Sequence, residues 1–236
     1  MSTGTLFLVP VSLGPAPWPG FLPQQVQQTC AGLQHFVVEN AKTARAQLKL
    51  LDFPRPLRDT VINELPREEN AGALDALLAP ALAGHDIGLM SEAGCPAVAD
   101  PGARLVARAH ALGVRVAPLV GPSSILLALM ASGLNGQSFT FHGYLPVADG
   151  ERDSQLRSLE EESRRLGRTQ IFIETPYRNE RMLDALLRVC RAETRLCVAR
   201  DLTTADEWIR SQPVAQWRKT ARPELARHPA LFLILA

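Results

Sequence analysis

Short apolar runs alternate with helix-patterned segments through the first half of the chain, and this alternation limits the possible folds more than any other feature. Thr5-Leu6-Phe7-Leu8-Val9 is an apolar run closed by Pro10. His35–Glu39, Asp59–Glu64, His85–Met90 and Val114–Val120 are further runs of strand length. Gln24–Leu33, Asn40 to about Leu51, Glu68–Ala83 and Asp100 to Leu112 carry helical spacing between them. Asn40 suits a helix N-cap, Gly84 the position just past a helix end, and Pro101 a first helical turn. Strands joined through helices cannot be hairpin partners, so the pattern predicts a mostly parallel sheet with helices on its faces.

The second half reads differently. Gly121-Pro122-Ser123-Ser124 opens a small-residue helix ending near Gly133. Strands at Phe139–Tyr144 and Thr169–Glu174 flank a charged helix, Glu151–Leu166, and another helix spans Asn179 to Cys190. Three late strands near Leu196–Ala199, Glu207–Ser211 and Ala230–Leu235 follow each other closely, which predicts a mixed sheet. The expected organisation is therefore α/β with two α/β domains, residues 1–118 and 119–236. Glu160-Glu161-Glu162 with Arg164-Arg165 reads as a solvated helix face.

Several function classes are disfavoured. Lys and Arg total 25 against 24 Asp and Glu, so bulk charge gives no drive toward nucleic acid, although a local basic patch stays open. No apolar stretch reaches the ~18 residues of a membrane span. Cys30, Cys95, Cys190 and Cys197 form no CxxC pair, and His35, His85, His110, His142 and His228 have no i,i+4 spacing, so no metal site is expected. Met1–Gly4 lacks a basic n-region and the run after it breaks at Pro10, so a cytoplasmic protein with reduced thiols is expected.

The densest chemical signal is Ser91-Glu92-Ala93-Gly94-Cys95-Pro96-Ala97-Val98-Ala99-Asp100-Pro101-Gly102, placed after a predicted strand, where open α/β sheets bind ligands. Glycines there let backbone approach a ligand, and a plain strand–turn–helix link fits the pattern equally well. Gly121–Ser124 reads as a hinge with a helix N-terminus facing a polar ligand group, or as an ordinary Ser-capped helix start. Glu174-Thr175-Pro176-Tyr177-Arg178 either lines a pocket or caps a helix. Lys42 and Arg45 share a helix face that can meet a phosphate or simply face solvent. Cys95 has no base near it in sequence, which disfavours thiol catalysis. The apolar helix Ile125–Met130 reads as core or dimer interface.

Seven of these segments occur in one order over nearly the whole chain: Thr5–Pro10, Ser91–Gly102, Val120–Ser124, Ala131-Ser132-Gly133-Leu134, Gly143-Tyr144-Leu145-Pro146, Glu174–Arg178 and Arg200-Asp201-Leu202-Thr203. In this the chain resembles the tetrapyrrole-methylase, or class III, S-adenosylmethionine-dependent methyltransferases, and within them a short branch similar to the 16S ribosomal RNA cytidine 2′-O-methyltransferase. The resemblance implies S-adenosylmethionine held in a cleft between two α/β domains, and a homodimer. It implies a cofactor border at Pro10, Gly14, Ser91, Glu92, Ala93, Gly94, Pro96, Ser123, Ser132 and Tyr144. Many relatives carry a glycine-rich first loop; here only Gly14 of Pro10-Val11-Ser12-Leu13-Gly14 corresponds.

Methyl transfer to a hydroxyl needs an aligned acceptor and a proton acceptor. Glu39, Glu92, Asp100 and Glu174 are the carboxylates nearest the implied cleft. Glu39 is the preferred base, Lys42 or Arg45 would hold an acceptor phosphate, and Asp100 reads as structural. The function expected is methyl transfer to RNA at a ribose 2′-hydroxyl, with RNA or a ribosomal subunit as partner. The alternatives are a small tetrapyrrole-like acceptor, or a module that binds S-adenosylmethionine or RNA without turnover. A nicotinamide dehydrogenase is disfavoured because no GxGxxG follows the first strand.

Overall fold

A computed structural model describes residues 3–54, 56–68 and 70–236, and the chain divides after Ser123 into two compact units. The first contains β1 (Thr5–Leu8), α1 (Gln24–Gly32), β2 (His35–Val38), α2 (Ala41–Leu50), β3 (Val61–Glu64), α3 (Ala71–Leu82), β4 (Ile87–Met90), α4 (Ala103–Ala111) and β5 (Arg115–Pro118). Its strands form one sheet in the order β3-β2-β4-β1-β5, and every neighbouring pair is parallel.

The strand residues alternate between two separate cores, as the two-residue period of a strand requires. Phe36, Val38 and Met90 pack with Val26, Cys30, Ala44 and Leu48 of α1 and α2. Val37, Ile87 and Leu89 pack with Leu74, Leu78, Leu105 and Ala109 of α3 and α4. Helices α1 and α2 therefore cover one face and α3 and α4 the other. With right-handed crossovers, the links from β1 and from β4 then leave these neighbouring strands in opposite directions. Beyond the carboxyl ends of such strands lies the usual ligand crevice of an open α/β sheet.

The second unit contains α5 (Ser124–Ser132), β6 (Phe139–Tyr144), α6 (Asp149–Leu166), β7 (Thr169–Glu174), α7 (Asn179–Val189), β8 (Arg195–Arg200), β9 (Trp208–Pro213), α8 (Val214–Trp217) and β10 (Ala230–Leu235). Its sheet runs β6-β7-β10-β8-β9. Strands β6 and β7 are parallel, while β10 is antiparallel to both β7 and β8. The mixed sheet expected from the sequence is thus present, and β6, β7 and β8 point the same way. Phe172 stacks on Phe232 at 6.0 Å within its core. The buried Trp217 ring satisfies its one donor by giving its Nε1 proton to Leu196 O at 2.8 Å.

Three local expectations are corrected. Helix α3 starts at Ala71, not Glu68, because the Asn70 side chain accepts the Ala73 N–H at 2.9 Å and sets the cap; Glu69 lies outside the described residues. Pro101 falls before α4, because Gly102 takes the N-cap position with φ of +113°. The Glu160–Glu162 run is not one solvated face. Glu160 is buried and accepts from Arg191 N at 2.7 Å and from Thr194 Oγ1 at 2.5 Å, whereas Glu161 forms a surface pair with Arg164.

Candidate active site

The carboxyl edge of the first sheet is assembled from the loops after β1, β2, β4 and β5. Val11 N donates to Gly94 O at 2.9 Å, and an isolated antiparallel bridge between these residues ties the first loop to the Ser91–Gly102 loop. Ser12 is buried, and its hydroxyl donates to Gln47 Oε1 at 3.0 Å. Gly121 crosses Pro10 so closely that a Cβ would lie 2.2 Å from Pro10 Cγ. Pro10, Ser91, Gly94 and Pro96 are buried, Gly14 and Ser123 are partly buried, and Glu92 and Ala93 are exposed.

The Ser91–Gly102 loop is not a plain turn. Gly94, Ala97, Ala99 and Gly102 all have positive φ, at +70°, +65°, +60° and +113°. An alanine in that region is strained by about 1 kcal/mol or more, and such residues persist where the surroundings over-determine them. The Cys95 thiol donates to Pro122 O at 3.3 Å, and burial pushes its pKa up. A thiol so held stays protonated, which argues against a nucleophilic role.

Three carboxylates gather at this edge. Glu39 directly follows β2, and its Oε2 is buried without a hydrogen-bond partner among the described residues. Glu92 follows β4, and its Oε1 accepts from Thr43 Oγ1 at 3.0 Å. Asp100 closes the group from the far end of the same loop. Burial raises the Glu39 pKa, and the negative charges of Asp100 and then Glu92 raise it further. Asp100 is raised in the same way, by burial and then by Glu92. A half-buried carboxylate held toward its protonated form just past the carboxyl end of a strand has the character of a general acid–base group.

The start of α2 is fixed against this group. Asn40 Oδ1 accepts from Lys42 N at 2.9 Å and Thr43 N at 3.1 Å, and Ala41 N donates to Glu64 Oε1 at 2.7 Å. Side chains thus satisfy three of the first free helix donors, and the backbone of Glu39 is anchored between β2 and this cap. Lys42 and Arg45 are exposed, and Arg45 Nη1 reaches back to Ala41 O at 3.3 Å.

In the second unit the remaining candidates are placed separately. The Ser132 hydroxyl is buried, donating to Leu129 O at 2.8 Å and accepting from Leu134 N at 3.0 Å. Tyr144 ends β6 and is exposed, just past Gly143, which has φ of +65° at a break in the β6–β7 register. The Glu174 carboxylate is buried and committed to Thr175 N at 2.6 Å and Arg178 Nη2 at 2.7 Å. It therefore acts as a loop anchor, with a neighbouring cation already paired to it.

Glu39, Glu92 and Asp100 were all expected near the cleft, with Asp100 read as structural. The structure couples Asp100 electrostatically to both. Only the sheet order, which seats β2 beside β4, brings them together, and no local signal carries that. Thr43 was likewise missed, since its link to Glu92 joins two distant segments.

Comparison with known proteins adds independent information. The family model described as Tetrapyrrole (Corrin/Porphyrin) Methylases matches residues 28–217. "Ribosomal RNA small subunit methyltransferase I" of Pseudomonas aeruginosa is 34% identical over 219 residues, covering 92% of this chain and 72% of the relative. The protein of that name from Vibrio cholerae is 32% identical, covering 89% and 69%, and that from Mesorhizobium japonicum 41% identical, covering 78% and 60%. Among solved structures, the methyltransferase CobJ aligns with a TM-score of 0.63 at 18% identity, covering 99% of this chain and 94% of its own. Uroporphyrin-III-C-methyltransferase from Thermus thermophilus aligns at 0.55 and 18%, covering 98% and 92%. At these identities the solved structures establish the fold.

Proposed function

We infer the reaction from one premise: the chain belongs to the tetrapyrrole (corrin/porphyrin) methylase family and is a methyltransferase. The donor we propose is S-adenosylmethionine and the acceptor a ribose 2′-hydroxyl of small-subunit ribosomal RNA. The sequence relatives, all ribosomal RNA small subunit methyltransferases by name, support small-subunit ribosomal RNA as the acceptor molecule. The observation that carries the chemistry is Glu39, a partly buried carboxylate at a strand end with one oxygen unpartnered among the described residues and a raised pKa.

The residues at this edge fit such a donor. S-adenosylmethionine supplies an electrophilic methyl group on a positively charged sulfonium, and it also carries an ammonium group. Glu92 and Asp100 offer the negative charge suited to those cations. Gly94 and Gly121 lie where added Cβ atoms would crowd Leu13 and Pro10, so the loop backbones come close together. Pro10, Gly14, Ser91, Glu92, Ala93, Gly94, Pro96 and Ser123 are the proposed border of the cofactor in this unit.

With the donor bound, Glu39 would accept the proton of the acceptor hydroxyl as the methyl group passes from sulfur to oxygen, the sulfur–carbon bond breaking to leave a neutral thioether. Its neighbours favour the protonated product form of the carboxyl. Lys42 and Arg45, exposed on the first turns of α2, hold an acceptor phosphate. Alignment of this kind can contribute ~7–11 kcal/mol to such a displacement. We further propose a cytoplasmic homodimer, which sedimentation of the purified protein tests. Calorimetric titration with S-adenosylmethionine, with NADH as control, tests the donor. Micromolar binding of the first alone is expected, and absence of heat with S-adenosylmethionine contradicts the proposal.

A further inference from the structure

The loop after β7 holds a large aromatic ring out of the protein on a rigid mount. Tyr177 is 85% exposed, so it adds almost nothing to the core. Exposed loop tips are usually small, polar and mobile. Here the residues on both sides of the ring are tied by hydrogen bonds. Glu174 Oε1 accepts from Thr175 N and Arg178 Nη2, and Arg178 N donates to Thr175 O at 2.9 Å. Arg227 N donates to Pro176 O at 3.3 Å, bringing the segment before β10 against the loop. Asn179 Nδ2 donates to His228 O at 2.6 Å, and His228 Nδ1 lies 2.6 Å from Asp201 Oδ2. Asn179 is fully buried, with its Oδ1 unpartnered among the described residues.

Two arginines belong to the loop contacts beside the ring, and exposed Glu180 lies three residues further on. Glu174 is buried, whereas the Arg178 side chain is 31% exposed. Arg227 is exposed and held at φ of +67°. An exposed ring on a hydrogen-bonded loop, with an exposed arginine on the segment bonded to that loop, matches what unpaired RNA offers: a flat base to stack and phosphates beside it.

We propose that Tyr177 is a stacking platform for one unpaired nucleotide of the RNA acceptor, with Arg227 meeting an adjoining phosphate. This rests on the RNA reading above. Stacking needs only the ring, so the hydroxyl of Tyr177 is dispensable.

The test is fluorescence anisotropy with a labelled short single-stranded oligocytidylate, on wild type, Tyr177→Ala, Tyr177→Phe and Arg227→Ala. Tyr177→Ala weakens binding by about fivefold to a hundredfold, and Tyr177→Phe stays within about twofold of wild type. Arg227→Ala lowers the slope of log affinity against log salt by about 0.7, one phosphate contact on a single strand. Calorimetry with S-adenosylmethionine on the same variants reads intact folding independently. Wild-type RNA affinity in Tyr177→Ala overturns the proposal. So does a variant that keeps RNA affinity but changes sedimentation, which assigns the ring to a second copy of the chain. A wild-type protein that methylates RNA beside an unaffected Tyr177→Ala sinks this inference alone; one that neither binds nor methylates RNA sinks the acceptor assignment with it.

Discussion

Glu39 carries opposite consequences for activity and for stability. Its folded pKa is raised, so the folded state binds the proton more tightly than the unfolded chain does. Stability from this group is therefore full below the ordinary carboxylate range and is lost as pH rises through the raised value. Glu39→Gln is expected to raise the urea midpoint at neutral pH, with the gain over wild type vanishing in acid. The same substitution is expected to lower kcat by about 10²- to 10⁴-fold, the usual contribution of a positioned general base. Full turnover in Glu39→Gln removes Glu39 as base. Asp100→Asn removes one of the two charges that raise Glu39, so the acid limb of the pH–rate profile is expected to move to lower pH. An unmoved limb would mean that the titrating group is not Glu39. Gly121→Ala tests the loop crossing, because its Cβ would overlap Pro10. A loss of about 1–3 kcal/mol of stability is expected from such overpacking, read by urea unfolding.

At the level of elements, helix α2 joins the cap chemistry of Asn40 to the placement of Glu39 and Lys42. Asn40→Ala is expected to cost about 1 kcal/mol in urea unfolding. It should also raise the acceptor KM, since the turn bearing Lys42 loses its anchor. The caps also show what sequence can and cannot reveal. Asn40 and Gly84 lay at helix ends with the right chemistry for their positions and did what that chemistry dictates. Strands β6, β7 and β10 were legible to the residue: β10 is an uninterrupted apolar run, while β6 and β7 are rich in the aromatic and β-branched residues that suit a pleated sheet. The start of α4 was misread because proline in a first turn is common, while Gly102 at φ of +113° as the cap depends on how the Ser91–Gly102 loop packs against Leu89. Glu160 was misread because its partners, Arg191 N and Thr194 Oγ1, arrive from the end of another helix. A one-dimensional pattern of like charges cannot register them.

For the whole molecule, a parallel sheet with helices on both faces and a separate mixed sheet followed from the spacing of apolar runs. The order of the strands did not, and that order seats Glu39, Glu92 and Asp100 within electrostatic reach of one another. Family membership rests on matched residues over most of the chain and is independent of that geometry. Together they give the proposed activity, methyl transfer to a ribose hydroxyl of ribosomal RNA with the Glu39 carboxylate as the base. The most direct test is nucleoside mass spectrometry of unmodified small-subunit RNA after incubation with the protein and S-adenosylmethionine. The prediction is a 2′-O-methylated ribonucleoside formed by the wild-type protein and nearly lost with Glu39→Gln. Methylation at a base nitrogen or carbon, or no methylated nucleoside from a protein that binds both cofactor and RNA, would contradict it.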